Sequence, residues 1–464
     1  MAHPSGRFVG RSREIGRIRT ALDQPHASLI RIEGMRGIGK SALVARALEE
    51  GQHVSLRVPA LPEPLQVARL RANLVGGDEA SMSEGGNEGW PGLFAMALRR
   101  ARPDGPPFAF VLDDAHRLTE ARARYLEPLS AALRSAREER RPFHVVLVGP
   151  IARENGELEN DELEGDRIVV HPLPLRPATG LLPGRTARDR IRAYSVFGGI
   201  PRVLAAVERD VTLETNIRRL ALEPDAPFEN VAAHWLERDL QTPSRYNAIL
   251  ARLAHGECDW GTLHEAVPDL TSSGQLAPYL GRLEELGLAS VRRSLDAAPN
   301  SRSRRYVVND PFLAFCYRFV MHASGTEERL GHIRAALDEH VGTVFPRICR
   351  QHMEHDALET LGANARELGS LWSPGPEVPV AGLLASGPAF YGDCWWDQPR
   401  QRDDPFGELD RATRETRYGF GREHRLRLLF TGHAAPRWLE REAVRREQCR
   451  LIGPEALVGG GRAR

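Results

Sequence analysis

The stretch Gly-Met-Arg-Gly-Ile-Gly-Lys-Ser at residues 34–41 decides the fold of this chain. It follows the alternating segment SLIRIE at 28–33, which predicts a β-strand, and it leads into ALVARALEE, which favours a helix. A strand, the pattern GxxxxGK[ST] and a helix in this order are typical of a phosphate-binding P-loop. We therefore predict that the backbone at Gly34, Gly37 and Gly39 surrounds the phosphates of ATP at a helix N-terminus.

Lys40 is the single lysine of the chain, because the other 62 of its 63 lysines and arginines are arginine. The planar fork of an arginine cannot replace the compact charge of a lysine inside such a loop. We predict that Lys40 reaches the β- and γ-phosphates and that Ser41 ligates Mg²⁺. The alternative, a glycine turn capped by a serine, is outweighed by the flanking pattern and by this retained lysine.

A second apolar run, residues 108–112, ends in two adjacent aspartates, Asp113 and Asp114. This pattern is typical of a Walker B strand, in which Asp113 holds magnesium through water and Asp114 polarises the attacking water as the catalytic base. The alternative is an ordinary turn at a strand end. Asp114 is shorter than the commoner glutamate, and a third predicted strand at 144–148 ends without a polar residue. Both features predict slow ATP hydrolysis.

Composition limits the classes of function. The chain has 464 residues, 41% hydrophobic residues, 27% charged residues and a formal net charge of +1. This length predicts several domains, and the balanced charge gives no sign of a membrane or a bulk nucleic-acid partner. We expect a cytoplasmic protein, since the sequence has no signal-like N-terminus and no apolar run long enough to span a bilayer. Its five scattered cysteines indicate neither a disulfide framework nor a zinc site.

Three further segments carry a resemblance to a known family. They are Phe-Val-Gly-Arg-Ser-Arg-Glu at 8–14, Gly-Gly-Ile-Pro-Arg at 198–202 and Asn-Asp-Pro-Phe-Leu-Ala-Phe-Cys-Tyr at 309–317. Together with the P-loop and in this order, they resemble the archaeal-type ATPases of the STAND class of P-loop proteins. The resemblance covers nearly the whole chain.

This resemblance implies roles for four more residues. Phe8, Gly10 and Arg11 correspond to a segment that lies against the adenine in that family. Pro201 corresponds to a residue of the helical lid that contacts the nucleotide from the other side. A simple turn between helices is the alternative interpretation of residues 198–201.

Residues 244–308 predict a winged helix. Helices are expected at 244–254, 260–267 and 276–287, followed by a strand pair at 288–292 and 305–308. Five arginines of the wing could grip a phosphate backbone: Arg292, Arg293, Arg302, Arg304 and Arg305. The alternative, at least as well supported, is a charged hairpin in a domain that serves for internal packing. The next residues, 312–322, predict a helix with an aromatic face.

The region after this helix resembles a restriction-endonuclease-like fold whose active-site motifs have decayed. Pro346 follows Val-Phe where the family has a glutamate, and Pro379 replaces the metal-binding aspartate of an EIDI-like strand. Trp395 replaces the lysine of a GECKW-like strand, and the chain has no second lysine to take its place. Glu377 and Asp393 remain, but we predict that nuclease activity is absent.

The predicted fold class is α/β, with five segments. They are a P-loop ATPase core with a parallel sheet at 1–180, a helical lid at 181–240, a winged helix with its following helix at 241–322, a degenerate nuclease-like α/β domain at 323–456 and a disordered tail at 457–464.

We interpret the chain as an ATP-binding STAND-type switch and weak ATPase that uses Mg²⁺. Exchange between ATP and ADP would control self-assembly or the binding of a protein partner, in a bacterial defence or regulatory complex. Contact with nucleic acid through the winged helix stays open, and no membrane is expected. The alternative is a DNA-binding regulator whose ATP site is structural.

Overall fold

The computed structural model describes most of the chain, namely residues 8–75, 89–150, 165–230, 243–267, 270, 272–298, 301, 303–321, 325–372, 377–397, 404–419, 421 and 425–459. The chain forms two compact units. The P-loop unit comprises residues 11–171 and 285–287, and the C-terminal unit comprises residues 1–10, 172–284 and 288–464. Arg302, residues 231–240 of the predicted lid and residues 460–464 of the predicted tail lie outside the described residues. The predicted domain boundaries stay predictions.

The P-loop unit contains a five-stranded parallel sheet in the order β2-β3-β4-β1-β5. Its strands are β1 Ser28–Glu33, β2 Gln52–Arg57, β3 Phe108–Asp113, β4 Phe143–Gly149 and β5 Asp166–Val169. Its helices are α1 Ser12–Leu22, α2 Lys40–Ala47, α3 Glu63–Val75, α4 Gly89–Leu98 and α5 Arg122–Glu138, with a 3-10 helix at Ala115–Ala121. The α/β class with a parallel sheet is confirmed.

The sheet of this unit brings distant residues to one edge. Strand β3 is buried along residues 108–112, as expected for a central parallel strand covered by helices on both faces. Because all five strands are parallel, their carboxyl ends meet at one edge. This edge carries the side chains of Arg57 and Asp113, and strand β1 ends there directly before the loop at 34–41.

The first part of the C-terminal unit is mainly helical. Its helices are α6 Leu175–Ala178, α7 Ala187–Phe197, α8 Pro201–Leu204, α9 Leu213–Ile217, α10 Pro243–Leu253, α11 Trp260–Ala266 and α12 Ala277–Glu285, with a π-helix at Arg218–Leu222 and 3-10 helices at Thr179–Leu181 and Ser273–Leu276. An antiparallel sheet in the order β6-β8-β7 contains β6 Cys258–Asp259, β7 Ala289–Arg293 and β8 Arg304–Val308. The three helices and the strand pair predicted between 244 and 308 are therefore present.

The second part of this unit is built on a long helix and a mixed sheet. Helix α13 Pro311–Phe315 continues as a π-helix, Cys316–Val320, and is followed by α14 Thr326–Leu361, α15 Pro405–Glu415, α16 Arg437–Arg445 and α17 Pro454–Leu457. The sheet has the order β13-β12-β11-β10-β9, with β9 Ala365–Leu371, β10 Val378–Leu384, β11 Ala389–Trp395, β12 Arg425–Thr431 and β13 Cys449–Ile452. Strands β9 to β11 are antiparallel and β11 to β13 are parallel.

Two further properties concern the cysteines and the helices. All five cysteines are free thiols. In the described part of the chain, the helices are either too short or too polar to cross a membrane.

Candidate functional site

The loop at 34–41 has the backbone conformation that its glycines allow. Gly37 and Gly39 have φ angles of 80° and 88°, in the left-handed region that residues with a side chain rarely adopt. A Cβ atom at Gly34 would lie 2.6 Å from the Val170 carbonyl oxygen, so a larger residue does not fit there. Helix α2 then begins at Lys40 with Gly39 as its N-cap. The loop therefore ends at a helix N-terminus, where backbone N–H groups are free to bind an anion.

The Lys40 side chain folds back over the loop. Its Nζ donates hydrogen bonds to the carbonyl oxygens of Gly34, at 2.8 Å, and Met35, at 3.0 Å. Burial lowers the pKa of Lys40 to about 8, although the charges of Asp113 and Asp114 oppose this shift. The lysine is thus already inside the loop, as a partly desolvated cation.

Ser41 and Asp113, the two predicted magnesium residues, lie in direct contact. The Ser41 hydroxyl donates a hydrogen bond of 2.7 Å to Asp113 Oδ2. The contact joins the first turn of helix α2 to the end of strand β3, which are 72 residues apart in sequence. A hydroxyl oxygen and a carboxylate oxygen beside a phosphate-binding loop are the donor types that Mg²⁺ prefers.

Asp114, the predicted catalytic base, is held by two arginines. Its Oδ2 accepts a 2.8 Å hydrogen bond from Arg57 Nε and lies 3.4 Å from Arg117 Nη2. Burial raises the pKa of Asp114, but the Arg57 hydrogen bond and the charges of Arg117 and Arg57 outweigh it, so this pKa lies below its ordinary value. A carboxylate with a lowered pKa is a weaker proton acceptor. Asp114 also has a left-handed backbone, with a φ of 59°.

The sequence analysis does not predict these two contacts of Asp114. Arg57 is the last residue of strand β2, next to β3 in the sheet, and is paired with Asp113 in the strand register. The strand order therefore explains its contact with Asp114, but a single sequence does not give strand order. Arg117 lies three residues after Asp114, within one turn of 3-10 helix.

The residues predicted to surround the adenine fall into both units. Arg11 belongs to the P-loop unit, where it is buried, pairs with Glu14 at 2.8 Å and reaches the Ile38 carbonyl oxygen at 3.4 Å. Phe8, Gly10 and Pro201 belong to the C-terminal unit. Arg11 therefore contacts the phosphate-binding loop. The adenine contacts of the four residues stay predictions.

Within the C-terminal unit, two of the motifs from the family resemblance contact each other. The buried Asp310 carboxylate accepts hydrogen bonds of 2.9 Å from the backbone N–H groups of Gly199 and Phe312. A Cβ atom at Gly198 would lie 2.1 Å from Asp310 Oδ1, and one at Gly199 would lie 2.0 Å from the Leu173 carbonyl oxygen. Burial raises the pKa of Asp310 to about 6 against the opposing effect of these hydrogen bonds. Gly198 thus leaves room for the carboxylate, and Gly199 leaves room for the Leu173 backbone.

Two of the wing arginines make contacts inside the C-terminal unit. Arg292 pairs with Glu257 and donates to Ser370 Oγ at 2.5 Å. Arg305 pairs with Glu377 at 2.6 Å and lies over the Trp372 ring. A third and a fourth wing arginine, at positions 293 and 304, are exposed.

Glu377 and Asp393, the carboxylates of the predicted nuclease-like motifs, also have partners. Asp393 Oδ2 accepts a 2.7 Å hydrogen bond from Trp395 Nε1, and Asp393 Oδ1 accepts one of 2.8 Å from the N–H of the next residue. Arg350 Nη1 donates to the Pro379 carbonyl oxygen at 2.9 Å, at the predicted site of the lost aspartate. Across the residues that the structure describes, no group of three or more histidine, cysteine or acidic side chains is arranged to hold a metal ion.

Comparison with known proteins agrees with the geometry of the loop. Residues 7–148 match the family model described as AAA ATPase domain. The uncharacterized protein MJECL04 of Methanocaldococcus jannaschii is 21% identical over 409 residues, which are 85% of this chain and 89% of that protein.

The solved structures that resemble the chain include two proteins from Pyrococcus species. One is the Walker-type ATPase paby2304 of Pyrococcus abyssi, with 16% identity, coverage of 68% of this chain and 99% of that chain, and a TM-score of 0.48. The other is PH0952 of Pyrococcus horikoshii, a Signal Transduction ATPase with Numerous Domains protein that has a tetratricopeptide repeat sensor. It shows 16% identity, coverage of 75% of this chain and 50% of that chain, and a TM-score of 0.32. On the family match and the loop geometry, the chain carries a P-loop ATPase domain of the AAA type.

Proposed function

We propose that this protein is an ATP-binding molecular switch with slow ATP hydrolysis. The observation that carries the proposal is the convergence of Lys40, Ser41 and Asp113 at one glycine-rich loop. A switch requires that ATP bind one arrangement of the protein more tightly than another, because a ligand shifts an equilibrium only by its differential affinity. Slow hydrolysis then sets how long the ATP-bound arrangement lasts.

The same residues fit a magnesium ion bound with ATP. Ser41 would ligate the ion directly, and Asp113 would hold it through water, as the 2.7 Å contact between their oxygens allows. The ion would neutralise phosphate charge beside Lys40. In this arrangement Asp114 orients and polarises the attacking water.

The pairing of Asp114 with arginines supports slow turnover. To act as a base, its carboxylate must accept a hydrogen bond from the attacking water, yet it already accepts one from Arg57. Strand β4, the neighbour of β3, ends at Gly149, which has no polar side chain to contact a phosphate. Both features remove stabilisation that a fast ATPase applies to the transition state.

We expect the Arg57→Ala variant to hydrolyse ATP about 3- to 10-fold faster than wild type, because removal of the ion pair restores the basicity of Asp114. The measurement is phosphate release at saturating ATP and Mg²⁺. Arg46→Ala is the matched control, since Arg46 is an exposed arginine of the same unit that pairs with Glu49. An unchanged rate in Arg57→Ala would show that the pair does not restrain the base.

We also expect ATP affinity to fall at alkaline pH. With its pKa lowered to about 8, Lys40 loses its charge in the free protein as the pH rises through that value. Phosphates favour the charged lysine, so binding is full below pH 8 and weakens by about tenfold per pH unit above it. Titration with a fluorescent ATP analogue between pH 7 and 9.5 measures this. A flat profile would contradict a buried lysine at the phosphates.

For the C-terminal unit we propose a helical lid, a winged helix and a nuclease-like domain without nuclease activity. The winged helix serves mainly as an internal clamp, since Arg292 donates to Ser370 and Arg305 pairs with Glu377, both in the proposed nuclease-like domain. The nuclease-like domain acts as a scaffold for self-assembly or for a protein partner.

Gel filtration tests the switch directly. We expect a change in apparent mass or partner capture when ATP and Mg²⁺ are added to wild type, and a more persistent change with Asp114→Ala, which retains ATP. Lys40→Ala should show no nucleotide-dependent change. The absence of any effect of ATP on wild type would refute the switch while leaving ATP binding intact.

A salt-dependent DNA shift assay addresses the alternative of a DNA-binding regulator. Among the wing arginines that the structure describes, the exposed Arg293 and Arg304 are the ones that could contact phosphates. We expect little binding even at low salt. Tight binding that Arg293→Ala and Arg304→Ala together abolish would favour the regulator over the internal clamp.

A further inference from the structure

Helix α14 supports two parts of the C-terminal unit, the proposed lid and the mixed sheet of the nuclease-like domain. With 36 residues it is about 54 Å long. Helix α7 and the π-helix at Arg218–Leu222, both in the proposed lid, pack against it. Strands β9, β10 and β11 of the sheet pack against it as well. The proposed lid and the sheet therefore share one supporting helix.

Asp338 on this helix binds a residue of α7 and a residue next to the sheet at the same time. Its two carboxylate oxygens accept hydrogen bonds from Arg192 of α7, at 3.0 Å from Nε and 2.5 Å from Nη2. Asp338 Oδ1 also accepts a 3.0 Å hydrogen bond from Nε1 of Trp396, which directly follows β11. A two-point contact between a guanidinium and a carboxylate fixes orientation as well as distance. Helix α7 is thus held in one orientation on α14.

A second arginine of α7 contacts the sheet directly. Arg188 Nη1 donates hydrogen bonds to the carbonyl oxygens of Trp396, at 3.0 Å, and Gly432, at 2.9 Å. Its guanidinium carbon lies 3.7 Å from the centre of the Trp396 ring. Trp396 directly follows β11 and Gly432 directly follows β12. One side chain of α7 therefore joins the ends of two strands.

Pro346 is the position at which α14 would bend most easily, because a proline inside a helix removes a backbone hydrogen bond. Contacts with the proposed lid lie on both sides of this proline. Asp338 precedes it, and Gln351, which donates to Tyr194 Oη at 3.3 Å, follows it. A bend at Pro346 would therefore separate α14 from α7 on one side or the other.

Contacts with the sheet also lie on both sides of the proline. Phe345 precedes it and packs against Trp396, with ring centres 5.5 Å apart. Arg350 follows it and donates to the Pro379 carbonyl oxygen of β10 at 2.9 Å. The lid contacts and the sheet contacts thus brace the same stretch of α14 against bending.

Burial adds to these polar contacts. Helix α7 has six buried residues, mostly in its second half: Ile191, Ala193, Tyr194, Ser195, Val196 and Phe197. Release of the helix from its neighbours would expose these side chains to water, which the hydrophobic effect opposes.

We propose that helix α7 stays fixed to the nuclease-like domain in every nucleotide state, so that the proposed lid and this domain move as one body. The inference rests on the proposed switch and names the part of the protein that moves as a whole. A nucleotide-driven movement would carry the proposed lid and the nuclease-like domain together, instead of opening the lid alone.

Pulsed electron paramagnetic resonance on the full-length protein measures whether the lid moves alone. Spin labels are attached at Arg185→Cys, in the proposed lid, and at Arg366→Cys, on β9, which are both exposed positions. We expect the distance between the labels to differ by no more than about 2 Å among the free protein, the ADP complex and the complex with a non-hydrolysable ATP analogue. A larger shift would overturn the proposal. Wild type carried through the same labelling corrects for reaction of the native thiols.

Hydrogen exchange in urea, below the unfolding transition, tests the same attachment without nucleotide. If α7 and β11 belong to one body, their slowest amides should open with the same free energy and the same urea dependence. Asp338→Ala should then accelerate exchange in both elements by the same factor, about three- to fivefold. Glu354→Ala, at an exposed position of α14, should accelerate neither. Faster exchange of α7 while β11 stays protected would overturn the proposal.

The two proposals fail separately. A fluorescent ATP analogue, titrated into the spin-labelled samples, shows whether nucleotide is bound, and gel filtration with ATP tests the switch. If ATP binds without any effect on apparent mass or partner capture, the switch is refuted. The exchange experiment uses no nucleotide, so it still decides whether the proposed lid and the nuclease-like domain form one body.

Discussion

Replacement of Lys40 with alanine should lower ATP affinity by about 100-fold, the largest effect that we expect of any single substitution in the loop. Its Nζ already lies inside the loop, hydrogen-bonded to the Gly34 and Met35 carbonyl oxygens. In the complex it would exchange these for phosphate oxygens, which are stronger acceptors because they are charged. Isothermal titration at pH 7 with excess Mg²⁺ measures the change.

The control for this experiment asks whether charge alone is sufficient. Lys40→Arg keeps the positive charge but has a planar fork that does not fit a partly buried, compact position, so we expect it to lose most of the affinity as well. Arg36→Ala, which removes an exposed charge of the same loop, should have a smaller effect. Affinity of wild-type strength in Lys40→Arg would contradict our explanation for the single retained lysine.

Replacement of Asp310 with alanine should lower the free energy of unfolding by about 3 kcal/mol. The carboxylate is 1% exposed and accepts hydrogen bonds from the N–H groups of Gly199 and Phe312. Alanine would leave both groups buried without a partner. Removal of this carboxylate offsets part of the cost, because its charge is desolvated and burial raises the pKa of Asp310 to about 6. Urea denaturation at pH 7 measures the difference.

An exposed N-cap aspartate serves as the matched control. Asp259 caps helix α11 through a 2.8 Å hydrogen bond from the Thr262 N–H, in the way that Asp310 caps α13. Water can replace this contact, so Asp259→Ala should cost only about 1 kcal/mol. Equal costs for the two variants would mean that Asp310 acts as a simple helix cap and not as a link to the glycine pair.

The sequence alone predicts the phosphate-binding loop and the strands beside it, because each of these elements is indicated by a continuous stretch of residues. The residues from Gly34 to Ser41 form a continuous motif, and an apolar run preceding Asp113 predicts both the strand and the position of the carboxylates at its end. The contact between Ser41 and Asp113 then follows from the rule that parallel strands end at one edge of the sheet.

The contacts that restrain the site required the structure. Arg57 reaches Asp114 because β2 and β3 are neighbours, and strand order depends on pairing between distant segments. The Gly199–Asp310 contact joins residues 111 positions apart. Likewise, the pairing of Arg305 with Glu377 could not be read from a sequence in which both residues look like ordinary surface charges.

The contacts of Asp393 and Glu377 limit what a single substitution could change. A lysine at position 395 would remove the indole that occupies Asp393, while Arg305 would still neutralise Glu377 and Arg350 would still lie beside Pro379. A single substitution therefore releases at most one of these contacts and leaves the others in place. Recruiting Asp393 and Glu377 to a metal ion would thus require changes at several positions at once.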